Sequence, residues 1–255
     1  MATFPAIFIG HGSPMNALER NEFSLEWEKL GKQLPKPKGI VCISAHWTTN
    51  GSFVTAMDEP RTIHDFYGFP EELSQVQYPA PGNPVLANDI CQLMHNKIKP
   101  DLHWGFDHGC WSVLNKMYPD AEVPTIQISL DIDLTPKQHF EQAQRLQFLR
   151  EQGILVLGSG NIVHNLSKIF WSDEALPWAV EFDELVKEKI IQRDFNSLFQ
   201  IQDFGLPAKL SVPSIEHYLP FLFILGMTTS KSEINFLCEK VTMGAISMRS
   251  IVVNN

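Results

Sequence analysis

The sequence predicts one α/β domain over residues 1–255, a three-layer αβα sandwich around a mostly parallel central sheet. Four short apolar runs rich in Ile and Val do not alternate with polar residues, the pattern of strands covered on both faces. Segments of helical periodicity with start signals lie between those runs. No linker rich in Gly, Ser or Pro, no repeat and no low-complexity stretch divides the chain.

Residues 6–9 read as the first strand and residues 23–34 as the first helix. The second strand covers 40–44. Asn83 then caps a helix opened by Pro84, with Val85, Leu86, Ile90, Leu93 and Met94 on one face. Residues 125–130 are the third strand. Thr135, Pro136, Lys137 and Gln138 form a capping box that opens a helix to about residue 150. The fourth strand covers 154–157, and a long amphipathic helix spans about residues 177–199. Residues 234–253 read as one or two strands around Gly244.

Composition narrows the function classes. Hydrophobic residues at 44% supply a large core, and 19% charged residues with 17 prolines suit an ordered, loop-rich, enzyme-like chain. A net charge of -9 argues against a general phosphate-backbone binder, which would need a basic face, so no nucleic-acid partner is expected. Cys42, Cys91, Cys110 and Cys238 are scattered and form no CxxC, which fits a reducing, cytoplasmic compartment. The opening MATFPAIFIG has no basic start and reads as a strand rather than a signal peptide. The most apolar run, FLFILGM, is too short to span a bilayer, so no membrane association is expected.

The placement of the histidines says more than their number. His11 in IFIGHGSP, His46 in VCISAHW and His164 in LVLGSGNIVHN each fall just past the C-terminal end of an expected strand. In open α/β sheets, sites form at that edge. A lone loop histidine is ordinarily a surface group, but three at one edge can converge, and imidazole is the commonest ligand for zinc, iron and copper. Gly10, Gly12, Gly158 and Gly160 permit tight turns beside two of them. There is no HExxH. The GSGN segment lacks both GxGxxG and a P-loop lysine, and HGSP lacks GxSxG.

His64 in RTIHDFYGFP and His108 in FDHGCWSVL sit where they could orient an aromatic substrate, or simply bond to backbone. His95 and His139 fall on helices and read as solvent-facing; His103 is in a loop and has no assigned role. Glu216 and His217 compete for one role, because adjacent residues diverge by about 100° on a helix. Ser214 is expected to cap a helix whose first turn holds Glu216, giving that carboxylate a structural job and leaving His217 as the ligand.

The segments HGSPMNAL, SAHW, TIHDFYGFP, DHGCWSVL, PTIQISLD, GSGNIVHNL and EHYLPFLFILG, with the closing GAISMRS, appear in one order along almost the whole chain. Together they resemble the DODA-type class III extradiol ring-cleavage dioxygenases of the LigB-like superfamily, and within it the bacterial 4,5-DOPA group. The resemblance implies metal ligation by His11, His46 and His217. It implies that His164 is the acid/base residue, and a fourth ligand in zinc-loaded members, and that His108 faces the substrate. Better-known members of the superfamily use two His and one Glu, whereas here the third position reads as His217 with Glu216 beside it.

The implied cofactor is one divalent metal per chain: Fe²⁺ for dioxygenase activity, and Zn²⁺ in a purified sample, since zinc outcompetes ferrous iron at such sites. The implied partners are a small catechol and O₂, in a monomer or small homo-oligomer. His64, Trp47 and Tyr67, with Phe66 and Phe69, are expected to contact the substrate ring. The same histidines with zinc would also suit a hydrolase. A non-catalytic metal-binding interaction protein is the other alternative, and retention of all four histidines tilts against it.

Overall fold

An eight-stranded sheet organises the chain in the computed structural model, which describes residues 3–255. Its strands are β1 (Ala6–Gly10), β2 (Gly39–Thr49), β3 (Ser52–Thr55), β4 (Ile98–Asp101), β5 (Thr125–Asp131), β6 (Ile154–Gly160), β7 (Glu233–Leu237) and β8 (Ser250–Asn254). Their order across the sheet is β4-β3-β5-β2-β6-β1-β8-β7. The central run β5-β2-β6-β1 is parallel throughout. β3 pairs antiparallel to β5, and β8 pairs antiparallel to β1 and β7. The four strands read from the sequence are the four at the centre, as their lack of alternation demands.

Helices cover both faces. The principal ones are α1 (Glu22–Gln33), α2 (Pro84–Leu93), α3 (His108–Met117), α4 (Pro136–Arg145), α5 (Pro177–Ile191) and α6 (Leu219–Gly226). Successive strand residues point to opposite layers. Ala6, Phe8, Val41 and Ile43 pack with Ile90 of α2, Phe182 of α5 and Phe221 of α6. Ile7, Ile9, Ile40 and Cys42 pack with Trp27 of α1 and Trp111 of α3. The result is the expected mostly parallel three-layer sandwich. Among the described residues no helix is long and apolar enough to cross a membrane.

Local start signals are borne out. Asn83 accepts from the Leu86 N–H, and the Thr135–Gln138 capping box is formed. Several ends differ. The helix from Pro136 stops at Arg145, and a separate short helix follows at Phe148–Glu151. The helix from Pro177 stops at Ile191, because Arg193 takes φ 55°, and Asp194 caps a new turn at Phe195–Leu198. The C-terminal stretch is β7, a hairpin of Val241–Thr242 with Ile246–Ser247 around Gly244, and β8. Of the face expected on α2, Leu86, Ile90 and the following Met94 are buried, while Val85 and Leu93 are exposed and Ala87 and Cys91 take their places in the core. His139, expected in solvent, is fully buried on α4, with Nδ1 3.1 Å from the Thr135 carbonyl oxygen.

Two features of the strand ends prepare the site. Pairing of β2 with β6 ends at Ser44 and Ser159, while β2 continues to Thr49 beside β5 with a register shift between Ile43 and Thr48. Such irregularities re-aim side chains, and His46 lies within this one. β1 ends at Gly10, whose last partner is Gly160, so His11 leaves the sheet beside the end of β6.

Candidate metal centre

Three imidazoles meet at this edge. One potential ligand atom each from His11, His46 and His217 lies within 4.8 Å of the others. The Nε2 atoms of His11 and His46 are 3.3 Å apart. Each ring is held from behind through Nδ1. His11 Nδ1 is 2.9 Å from the Ser159 hydroxyl, whose own proton is donated to the Gly109 carbonyl at 2.6 Å. Ser159 must therefore accept from His11, which leaves Nε2 as the bare lone pair. His46 Nδ1 faces Asp65 Oδ2 at 3.3 Å. His217 Nδ1 faces Glu216 Oε1 at 3.3 Å, and that oxygen also accepts from the Ser214 hydroxyl at 2.7 Å.

The His217 Nε2 is buried without a hydrogen-bond partner. Bare lone pairs directed into one small volume repel one another and are costly to bury. A divalent cation removes both costs, and an oriented Nδ1 with a free Nε2 is the usual state of a metal-binding imidazole. The donor set therefore fits a metal. Burial, reinforced by neighbouring imidazoles, holds His11 and His217 well below the ordinary histidine range. Burial and His108 lower His46 to about 3, and burial lowers His164 to about 4. All four are neutral near pH 7, the form that ligates.

Local chain features explain the placement of His217. Residues 213–218 form bends and turns, and α6 starts only at Leu219 with Pro220 in its first turn. Ser214 therefore does not cap a helix, and Glu216 is not in a first helical turn; it buttresses His217 instead. The His217 carbonyl accepts from the Asn161 N–H at 2.9 Å. A Cβ on Gly160 would run into that carbonyl oxygen, so glycine is required for the close approach.

His108 and His164 flank the cluster. His108 is the first residue of α3, after the cap Asp107. The buried Asp107 carboxylate accepts from Ser44 Oγ at 2.6 Å, Gln127 Nε2 at 2.8 Å and the Cys110 N–H at 3.1 Å. The His108 ring centroid is 3.8 Å from that of His46. Its Nδ1 lies 3.0 Å from Asp65 Oδ1 but off the N–H axis, an ion-pair contact rather than an aligned hydrogen bond. Burial pushes the Asp65 carboxyl up, but bonding to His108 and the charges of His108 and His46 outweigh it and bring it to about 2.

His164 stacks on His217 with ring planes 6° from parallel and centroids 3.5 Å apart. The in-plane lone pairs of the two rings therefore point along separate, nearly parallel planes.

A cavity of about 360 Å³ opens over the cluster. Its apolar wall includes Phe66, Phe69, Ile169 and Ile246, and Tyr67 and Trp171, 95% and 78% exposed, stand in its lining. Two expected substrate contacts are placed elsewhere. Trp47 is buried and stacks on Trp104, with centroids 5.5 Å apart, outside the lining. His64 bonds through Nε2 to the Val76 carbonyl at 2.8 Å and backs Phe66 edge-on, also outside it. His95 and His103 are exposed. A larger groove of about 640 Å³ lies at the far ends of α1 and α3 and has no histidine in its lining.

Sequence reasoning missed Asp65, Ser159 and the wall residues Ile169, Trp171, Met243 and Ile246. Asp65 follows His64 directly, so an acid beside a histidine in an aromatic loop was a usable signal. Nothing local marked Ser159 as the partner of His11.

The family model described as the catalytic LigB subunit of aromatic ring-opening dioxygenase matches residues 5–253. The 4,5-DOPA dioxygenase extradiol of Escherichia coli K12 is 44% identical over 98% of this chain and 94% of its own length. The protein of the same name from Beta vulgaris is 34% identical over 95% and 94%. A crystal structure of an uncharacterized E. coli K12 protein superposes with a TM-score of 0.85 at 41% identity, covering 98% of this chain and 99% of that one. These matches run from end to end rather than over a single motif, and the chain belongs to the LigB family of aromatic ring-opening dioxygenases.

Proposed function

We propose that this protein opens the ring of a small catechol of the 4,5-DOPA type by extradiol cleavage with O₂. The observation that carries the reading is the convergence of His11, His46 and His217 beneath an apolar-walled cavity, with each Nδ1 already engaged. These three residues would hold one divalent metal, Fe²⁺ in the active enzyme and Zn²⁺ in samples that scavenge it. The metal supplies Lewis-acid and redox chemistry for oxygen activation.

The rest falls to the chain's own groups. Phe66, Phe69, Ile169 and Ile246 bind the ring and exclude water. His164 is neutral, lines the cavity and has no carboxylate partner on its ring, so it can accept a proton from a substrate hydroxyl. General-base help of this kind contributes about 10²- to 10⁴-fold. His108 presents its ring to the same space and orients the substrate oxygens. The four cysteines are free, which suits a cytoplasmic enzyme, acting as a monomer or small homo-oligomer.

Anaerobic reconstitution with Fe²⁺, followed by DOPA and air, tests the reading. Oxygen uptake with a yellow ring-opened product is expected. Full iron occupancy with no oxygen uptake on any catechol would overturn it.

A further inference from the structure

One carboxylate stands between the ligand set and the substrate side of the cavity. Asp65 lines the cavity in the loop before Phe66. Its Oδ2 faces His46 Nδ1 at 3.3 Å and its Oδ1 faces His108 Nδ1 at 3.0 Å. The His108 backbone N–H donates to the same Oδ1 at 2.9 Å, at the N-terminus of α3. Asp65 is thus pinned by a donor that cannot change its protonation, with each oxygen committed to a different ring. The three residues also form a compact cluster of their own.

We infer that Asp65 is a positioning residue that holds His46 and His108 in the same tautomer, with the proton on Nδ1 of each, and so ties metal binding to the orientation of a substrate-facing histidine. An imidazole lone pair turned toward a carboxylate oxygen at about 3 Å is repelled, while an N–H is attracted even off axis. His46 therefore offers Nε2 to the metal. His108, with Nδ1 committed, can face the cavity only with the acceptor nitrogen Nε2. Among the described residues no other carboxylate contacts two rings of the site: Glu216 serves His217, and His11 is served by a neutral hydroxyl. The inference rests on the metal reading above but not on turnover.

The test uses zinc-loaded full-length protein at about pH 8, above the ordinary imidazole range. Long-range ¹H–¹⁵N correlation spectra report which nitrogen of His108 carries the proton, and chelator competition reports the zinc Kd. In the parent protein the proton sits on Nδ1. In Asp65→Ala the His108 signature becomes a mixture of both tautomers, and the zinc Kd rises about 10- to 100-fold. In Asp65→Asn the amide oxygen stays on the His108 N–H, so the NH₂ group confronts the His46 Nδ1–H. His108 then keeps its tautomer while the zinc Kd still rises by about 10-fold.

The inference is overturned if His108 remains wholly Nδ1-protonated in Asp65→Ala, or if both variants bind zinc within about twofold of the parent. Should the alanine variant not fold, the near-isosteric Asp65→Asn decides on zinc affinity alone. Neither readout needs a catechol, so a protein that shows these effects but opens no ring overturns the proposed function and not this one.

Discussion

His164 and His217 lie face to face, 3.5 Å between ring centroids and 6° from parallel, so their in-plane lone pairs point along separate planes. Under the proposed roles, His217 ligates and His164 takes the proton. His164→Gln is expected to retain zinc in elemental analysis while turnover falls about 10²- to 10⁴-fold. If the variant loses metal as completely as His46→Ala, His164 is a ligand and the base is sought at His108.

Glu216 accepts from His217 Nδ1 and sits on an irregular turn before α6. Removing its charge weakens the ligand's orientation without removing the ligand. Glu216→Gln is therefore expected to stay metallated at saturating zinc with a Kd raised about 10-fold, whereas His217→Ala loses the metal. The reverse pattern in a zinc titration would make the carboxylate the true third ligand.

His11→Ala and His46→Ala should each abolish bound metal, since two imidazoles and no third strong donor make a poor zinc site. Ser159→Ala is the subtler case. It leaves His11 in place but strips the acceptor that selects its tautomer, and the zinc Kd should rise about 10-fold. Full metal occupancy in His11→Ala, read by inductively coupled plasma spectrometry, would sink the assignment.

The buried histidines make a pH prediction for the metal-free protein. His46 and His164 are lowered from 6.5 to about 3 and about 4, and His11 and His217 are also lowered, burial being the first cause in each. A depressed folded pKa means that the unfolded chain binds more protons below 6.5. The stability from keeping these rings neutral is present above that pH and is lost as pH falls toward about 4 and about 3. The melting temperature of the metal-free protein should therefore fall steadily from pH 6.5 downward. In the His46→Phe, His164→Phe double variant that slope should be shallower.

Arg249 is fully buried and donates to Asp183 Oδ2 through Nε at 2.8 Å and Nη2 at 2.6 Å, with Glu184 and Glu239 also in contact. Ser247 donates to the other Asp183 oxygen at 2.6 Å. Arg249→Met strands a buried carboxylate and should cost about 3–5 kcal/mol in urea unfolding. Met243 and Ile246 of the same segment line the cavity, so KM should rise as well. Arg249→Lys should recover part of the stability but not the two-nitrogen contact.

The central strands, the layer architecture and the placement of His11, His46 and His164 at one sheet edge were legible in the chain alone, because each rests on short-range physics. Short non-alternating runs rich in β-branched Ile and Val are the pattern of strands covered on both faces, and Asn83 with Pro84 or Thr135 with Gln138 start helices from their own side chains. His11, His46 and His164 could be placed at one edge because parallel strands put all their C-terminal ends together.

Tertiary structure decided what stands behind and around those rings. Ser159 meets His11 across 148 residues only because β1 and β6 are neighbours in the sheet. Asp65 reaches His46 and His108 from a loop with no periodicity to read. The relation of Glu216 to His217 turned on where α6 begins, and the helical 100° rule does not apply on the turn before it. His139, Trp47 and His64 were misjudged for the same reason: whether a side chain faces solvent, core or cavity depends on which distant elements pack over it. Local propensity is a property of a few successive residues, while a site is made by contacts whose loop-closure cost only the whole folded core can offset.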